Sequence, residues 1–344
     1  MMLAVSPRAS PNPVCMMTIQ LLTIYLYLSP SASMALPLGT RRQHTKHHDD
    51  SSSSGDGINR REFVGGTAAM FSSLLLQPPR PSNAASSSTI SSRFENDMLT
   101  IPPPSYASEF NGIDNTYYPS FLAGEWDVTQ TLMSASAPLG LKYMGGPNGV
   151  VSIAQASLDQ TKSQIGIPVK LKLRYVPTKW GVAEDRLYNT QERLNSFAGK
   201  AVVAQTAYAD VGGSNRASVV AMGGGKDDPL QTTLVYFKGP AAQKSFVVSH
   251  GEDKIKSKSE SELTWSGYEL QRSIFALTNQ STAPPITTDS EYIWEFTKLD
   301  SNHVQGRLRI AGYLNAQSDT LFFEARNRAV SLQDYTLDMK RVIS

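Results

Sequence analysis

The chain has 344 residues, of which 40% are hydrophobic and 18% charged, and its formal net charge is +2. Seven Lys/Arg and four Asp/Glu precede Ala85, leaving 25 against 26 beyond it, so the larger part of the chain is near neutral and lacks the basic excess of a nucleic-acid-binding protein. Cys15 is the only cysteine, which excludes a disulfide, a Cys-ligated metal, an iron–sulfur cluster or a Cys nucleophile downstream of it.

In chain order, residues 1–35 read as a signal peptide. Arg8 precedes an apolar run over 14–28 and a small-residue stretch over 29–35. The run, at about 15 residues, is shorter than the ~20 that a membrane span requires. Residues 36–58 carry Arg41, Arg42, Lys46, three histidines and the serines 51–54, with no acid before Asp49, which is the composition of a plastid transit peptide. Met34-Ala35-Leu36-Pro37 loosely resembles the junction motif in bipartite presequences of algae whose plastids have extra membranes. Over 59–84, Asn59-Arg60-Arg61-Glu62-Phe63-Val64 resembles the twin-arginine export motif. An uncharged run over 63–76 and the small residues Ser82-Asn83-Ala84 complete that signal. Together the segments predict passage through a twin-arginine translocase into the thylakoid lumen of a plastid (chloroplast), with Arg60, Arg61 and Ala84 as the targeting residues.

Residues 85–117 are rich in Ser and Pro around Pro102-Pro103-Pro104 and read as a linker or loosely attached arm. The folded domain is expected over 118–344. Its segments alternate with period two: Trp126, Val128 and Leu132 against Asp127, Thr129 and Thr131, and Val169, Leu171, Leu173 and Tyr175 against Lys170, Lys172 and Arg174. Further strands are predicted over 202–208, up to Gly223-Gly224-Gly225, and over 230–237, 244–249, 268–277, 291–299, 304–314, 326–332 and 335–342. A short helix is predicted over 189–197, with Thr190 as cap and Gly199 as the terminating residue, and a second within 145–164. About ten strands joined by short turns predict an all-β antiparallel meander closed into a barrel; an open sandwich is the alternative.

Gly124-Glu125-Trp126 opens the first strand, and Arg341 follows Tyr335, Leu337 and Met339 on one face of the last. This pairing resembles the lipocalin and wider calycin families, which implies a barrel whose Trp plugs one end and packs on the Arg. A second resemblance covers nearly all of 118–343, carried by residues 137–142, 211–216, 283–288 and 335–341. It is to an uncharacterised domain family of plant, algal and cyanobacterial plastid or thylakoid proteins, and it implies a location without an activity.

Arg272 falls among Tyr268, Leu270, Ile274 and Ala276, so it is expected to face inward, where an unpaired guanidinium is costly and a ligand carboxylate or phosphate would pair it. Tyr335 and Arg341 are candidates to complete that site, and Trp126 and Trp294 to line an aromatic cavity for a lipid, pigment or quinone. Each has a structural alternative: an internal ion pair for Arg272 and core packing for the tryptophans. Trp180 and Trp265 sit beside expected loops. Lys170, Lys172 and Arg174 form a basic stripe that would dock an acidic partner or be merely solvated. His250 and His303 are isolated and turn-borne, Glu184-Asp185 and Asp227-Asp228 read as loop and cap residues, and no phosphate loop, nucleophile elbow or zincin motif occurs. The expectation is a non-enzymatic lumenal barrel with no cofactor beyond a bound lipid or pigment, binding a hydrophobic molecule with an acidic head. The alternative is an assembly or stability factor for a photosynthetic membrane complex. A lipocalin-like pigment-modifying enzyme is a third class, although lumenal xanthophyll de-epoxidases are cysteine-rich and this domain has no thiol.

Overall fold

A computed structural model describes residues 89–102, 116–146, 149–209, 232–253, 255–257, 263–279, 285–317 and 319–343. The three segments expected to be targeting signals, with Arg60, Arg61 and Ala84, lie outside the described residues, as do Asp227-Asp228, the turn expected at 212–215 and the strand expected to end at 223–225.

Eleven strands form one antiparallel sheet: β1 (Gly124–Ser136), β2 (Pro168–Thr178), β3 (Gly181–Glu184), β4 (Val203–Tyr208), β5 (Thr233–Phe237), β6 (Ala241–Glu252), β7 (Lys256–Ser257), β8 (Leu263–Leu277), β9 (Ile286–Lys298), β10 (His303–Tyr313) and β11 (Ser331–Arg341). The order is β3-β2-β1-β11-β10-β9-β8-β6-β5-β4, with the short β7 pairing β8. The all-β antiparallel meander is as the alternating pattern predicts; the sheet curls into a half-barrel, and its end strands β3 and β4 do not pair to close it. The edge strands are β3 and β4; α2 (Arg186–Ala198) packs on β2 at one side, where Asn189 hydrogen-bonds the Arg174 backbone, and on β4 and β5 at the other. A helix packed beside a sheet edge shields unpaired backbone from further strand pairing.

The helix begins one turn earlier than its sequence pattern indicates. Asp185, not Thr190, is the cap, its carboxylate accepting from the Tyr188 N–H, while Gly199 ends the helix in the left-handed region as expected. The second predicted helix is α1 (Val151–Lys162), which places Leu158 against the core. The strands expected over 326–332 and 335–342 are a single strand, β11, preceded by the short helix α3 (Phe322–Ala325) and by Arg326 and Asn327 at positive φ.

Both faces of the central strands are covered. Trp126, Val128, Leu132, Leu173, Trp265, Trp294, Phe296, Tyr335 and Met339 make the concave core. On the convex side, Ile90, Phe94 and Leu99 pack on Phe246, Leu270, Ile293 and Leu332. Residues 89–102 are thus a docked strap and not the loose arm expected over 85–117. The strap is tied by the Ile90 N–H to Asp253 at 2.9 Å, by Ser91 to Ser266 at 2.9 Å and by the Ile101 N–H to the Asn327 carbonyl at 2.8 Å. Among the described residues no helix is long and apolar enough to cross a membrane.

Candidate functional site

Strand register arranges the concave face in rows, because residues directly opposite in an antiparallel pair share a face. At one end Trp126 stands opposite Arg341 and Leu173. Next come Val128, Met339 and Val304, then Leu337, Gly306, Phe296 and Trp265, then Leu132, Tyr335, Leu308 and Trp294. The rows then turn polar: Gln333, Ile310, Tyr292, Glu269 and His250, followed by Ser290, Gln271 and Val247, and last Thr288, Ser273, Ser245 and Thr233.

The apolar rows are filled. Tyr118 enters from outside the sheet and meets Tyr175, Trp265 and Trp294 at ring-centroid distances of 4.9, 5.2 and 6.1 Å, and Trp265 stacks on Phe296. The Trp265 ring lies over Gly267, where any Cβ would collide with it. Each apolar side chain named in those rows from Trp126 to Trp294 is at most 6% exposed, and Val169, at the β2 end of the Leu337 row, is partly buried. Side chains lining an empty, ligand-sized cavity would keep accessible surface, so this part of the barrel is core.

Where the rows turn polar, α2 delivers a charge network. Arg186 donates to both oxygens of Glu269, at 3.0 and 2.6 Å, and Gln271 donates to Glu269 at 2.9 Å. Glu184, 3.8 Å from Arg186, accepts from Arg193 at 2.6 Å and Asn189 at 3.0 Å. Burial pushes the Glu269 carboxyl up, but the charge and hydrogen bonds of Arg186 outweigh it and bring the group to about 2. Two cations meet two carboxylates, so the network closes on itself and offers no surplus charge to an acidic head group.

Arg272 lies on the other face. It points to the convex side, where Nε and Nη2 donate to the two oxygens of Asp289 at 2.8 and 2.9 Å, and Asn315 adds a third hydrogen bond at 2.9 Å. The inward anion site is corrected to an internal ion pair. The reason is that both faces of β8 are buried, so its apolar alternation marks the convex core and its polar alternation, Glu269-x-Gln271-x-Ser273, the concave one. Beside it, the buried Glu291 accepts from Arg93 at 2.7 Å and from the Tyr313 hydroxyl at 2.6 Å. Burial raises the Glu291 carboxyl despite the Arg93 guanidinium.

The remaining expected residues fall in three places. Trp126, Trp294 and Tyr335 share the concave core, with the Tyr335 hydroxyl donating to Gln333 at 2.6 Å. Arg341 caps the same core: its guanidinium sits 4.4 Å from the Trp126 ring and donates to the carbonyls of Phe121, Ala123 and Ser301. That is the contact the Gly-x-Trp pattern implies, and Gly124, at φ +122°, is where the Arg341 guanidinium passes. The basic stripe is largely answered. Lys172 pairs with Glu125 and Asp127 at 3.1 and 3.5 Å; Arg174 pairs with Glu125 and Asp185 and stacks on Tyr188. Lys170 is exposed, and the Lys172 and Arg174 side chains remain 44% and 39% exposed within their pairs. His303 bonds Asp338 at 2.6 Å on the outer face, and His250 lies within β6, opposite Glu269, rather than in a turn. Trp265, expected beside a loop, is in the concave core, and Glu184 is buried rather than a loop residue.

A family profile described as a domain of unknown function, DUF6816, matches residues 111–343, which spans the whole sheet. The chain belongs to the DUF6816 family. No curated protein and no solved structure shows significant similarity to it. The strap over 89–102 precedes the matched region of the DUF6816 domain yet completes its convex core. Among the described residues no group of three or more His, Cys, Asp or Glu side chains is placed to hold a metal ion.

Proposed function

We propose that this DUF6816 protein is a non-enzymatic factor of the thylakoid lumen that acts through its outer surfaces, as an assembly or stability factor for a photosynthetic membrane complex. The observation that carries the choice is the filled interior: aromatic and aliphatic side chains occupy the barrel from Trp126 to Trp294, and the buried charges beyond them are mutually paired. The location rests on the three stacked targeting patterns before Ala85. An acidic-headed ligand loses its support, because Arg272 is held by Asp289 and Arg186 by Glu269. A narrower small-molecule reading is favoured only where the concave face is half-exposed, at Gln271, Ser290, Tyr292 and Gln333, a neutral hydrogen-bonding strip suited to a hydroxyl or carbonyl head.

The test is recovery of the tagged mature domain from gently solubilised thylakoids. Co-purified subunits of one membrane complex, and loss of that complex in cells lacking the protein, are expected. A domain recovered alone, with every complex at its normal level, would overturn the proposal.

A further inference from the structure

The end of the half-barrel where the concave rows turn polar carries exposed apolar side chains from three chain segments. Phe323 of α3 is 76% exposed, and Val151 and Ile153 at the start of α1 are 51% and 45% exposed. Lys142 and Tyr143 reach across to Glu324, at 2.6 and 3.3 Å, and a Cβ on Gly149 would stand 3.3 Å from Leu321, so these segments lie side by side. A second group, Met133, Ile165 and Ile167, sits at the other end of α1, where the Gly166 N–H donates to the Leu132 carbonyl. Twelve residues of helix set the two groups about 18 Å apart.

The charge around them is slightly basic, at +2 over the two segments. Residues 133–170 hold Lys142, Lys162 and Lys170 against Asp159 alone, and residues 319–328 hold Arg326 and Arg328 against Asp319 and Glu324. The Lys142–Glu324 bridge neutralises one charge of each sign and leaves Lys162, Lys170, Arg326 and Arg328 against Asp159 and Asp319. Small, separated apolar tips within a cationic surround fit poorly onto a flat protein partner, which buries one continuous apolar patch. They match a bilayer surface, where each tip enters the headgroup region and lysines and arginines meet anionic lipids.

From this we infer that the rim formed by 141–146, 149–153, 165–167 and 321–326 docks on an anionic membrane surface, with Phe323 and Val151 inserted. The inference rests on the reading that the surface is the working part of the domain, yet its test contains no partner protein and so fails separately from that reading.

The mature domain is sedimented with vesicles of phosphatidylcholine mixed with phosphatidylglycerol, and with pure phosphatidylcholine. Wild type is expected to bind the mixed vesicles and to release at high salt. The double variant Val151→Ser/Phe323→Ser is expected to bind at least tenfold more weakly with an unchanged unfolding midpoint, since both side chains are already exposed. Trp180→Ser, which removes a side chain 57% exposed in the β2–β3 turn at the far end of β2, is expected to bind as wild type does. Equal losses for the double variant and Trp180→Ser would overturn the assignment. So would absence of vesicle binding by wild type, or self-association that the double variant abolishes.

Discussion

Replacing Glu269 by Ala tests whether the charges inside the barrel form a closed network. The substitution leaves the Arg186 side chain, 6% exposed, with Glu184 at 3.8 Å as its remaining carboxylate, and Glu184 is already engaged by Arg193 and Asn189. Breaking a buried pair from one side costs about 3–5 kcal/mol. At roughly 2–4 °C per kcal/mol for a domain of this size, the midpoint falls by about 6–20 °C. Urea unfolding followed by tryptophan fluorescence reads the change directly, since Trp265 and Trp294 pack in the adjoining core. Sign and pH dependence follow from linkage. The Glu269 carboxyl lies below its unfolded value of 4.5, at about 2, so its contribution is complete above pH ~4.5 and is lost as pH falls toward 2. Wild type therefore loses about 3 kcal/mol over that window, and Glu269→Ala lacks this component. The double variant Arg186→Met/Glu269→Leu recovers most of the stability, because two apolar side chains leave no charge behind. A single-variant cost below ~1 kcal/mol, or an unaltered acid profile, would refute the buried network.

Three further outcomes check other parts of the structure. Arg341→Ala removes the Trp126 contact and three bonds to backbone carbonyls, for an expected loss of about 2–4 kcal/mol, and Gly124→Ala costs about 2 kcal/mol; in urea titrations the combined variant loses less than the sum, because the two changes break one contact. A chain beginning at Pro103 loses the burial of Ile90, Phe94 and Leu99, roughly 5–9 kcal/mol at 1.5–3 kcal/mol per side chain, and is unfolded or dye-binding at pH 7 where a chain beginning at Ser87 is not. Arg272→Ala strips the buried Asp289 of its ion pair and lowers stability by about 2–4 kcal/mol in denaturant titration, while association with the membrane and its complexes is unchanged.

The antiparallel meander was legible because β1, β2, β9 and β10 alternate cleanly and are bounded by turn residues. The Trp126–Arg341 contact was legible for a related reason: both residues keep the parity of their strands, so their register follows from the pattern. Strand β8 was not. Tyr268, Leu270 and Ile274 on one face and Trp265, Gly267 and Phe275 on the other are all covered, and period-two reasoning assumes one wet face. The one local signal was Trp265-x-Gly267, an aromatic directly over a glycine, just before the start expected for this strand at Tyr268. Arg186 escaped notice because the helix pattern starts to repeat only after Asn189, while its cap, Asp185, lies a turn earlier. The strap resembled a linker by composition: its buried anchors Ile90, Phe94 and Leu99, with Ile101 partly buried beside them, are spaced among polar residues, and the anchors' partners lie more than 140 residues away, beyond any local reading. The basic stripe at Lys172 and Arg174 was visible, but the acids that answer it stand on β1 and before α2, a pairing that only the register reveals.

The central claim is that the domain works from its surface with a filled interior. Native mass spectrometry of the tagged domain recovered from its own cells, with an absorption spectrum of the same sample, tests it most directly. The account predicts the bare polypeptide mass, no visible absorption and co-purifying subunits of a membrane complex. A stoichiometric added mass or a visible chromophore would contradict it, and would make the half-exposed strip at Gln271, Ser290 and Tyr292 the place to look for the ligand.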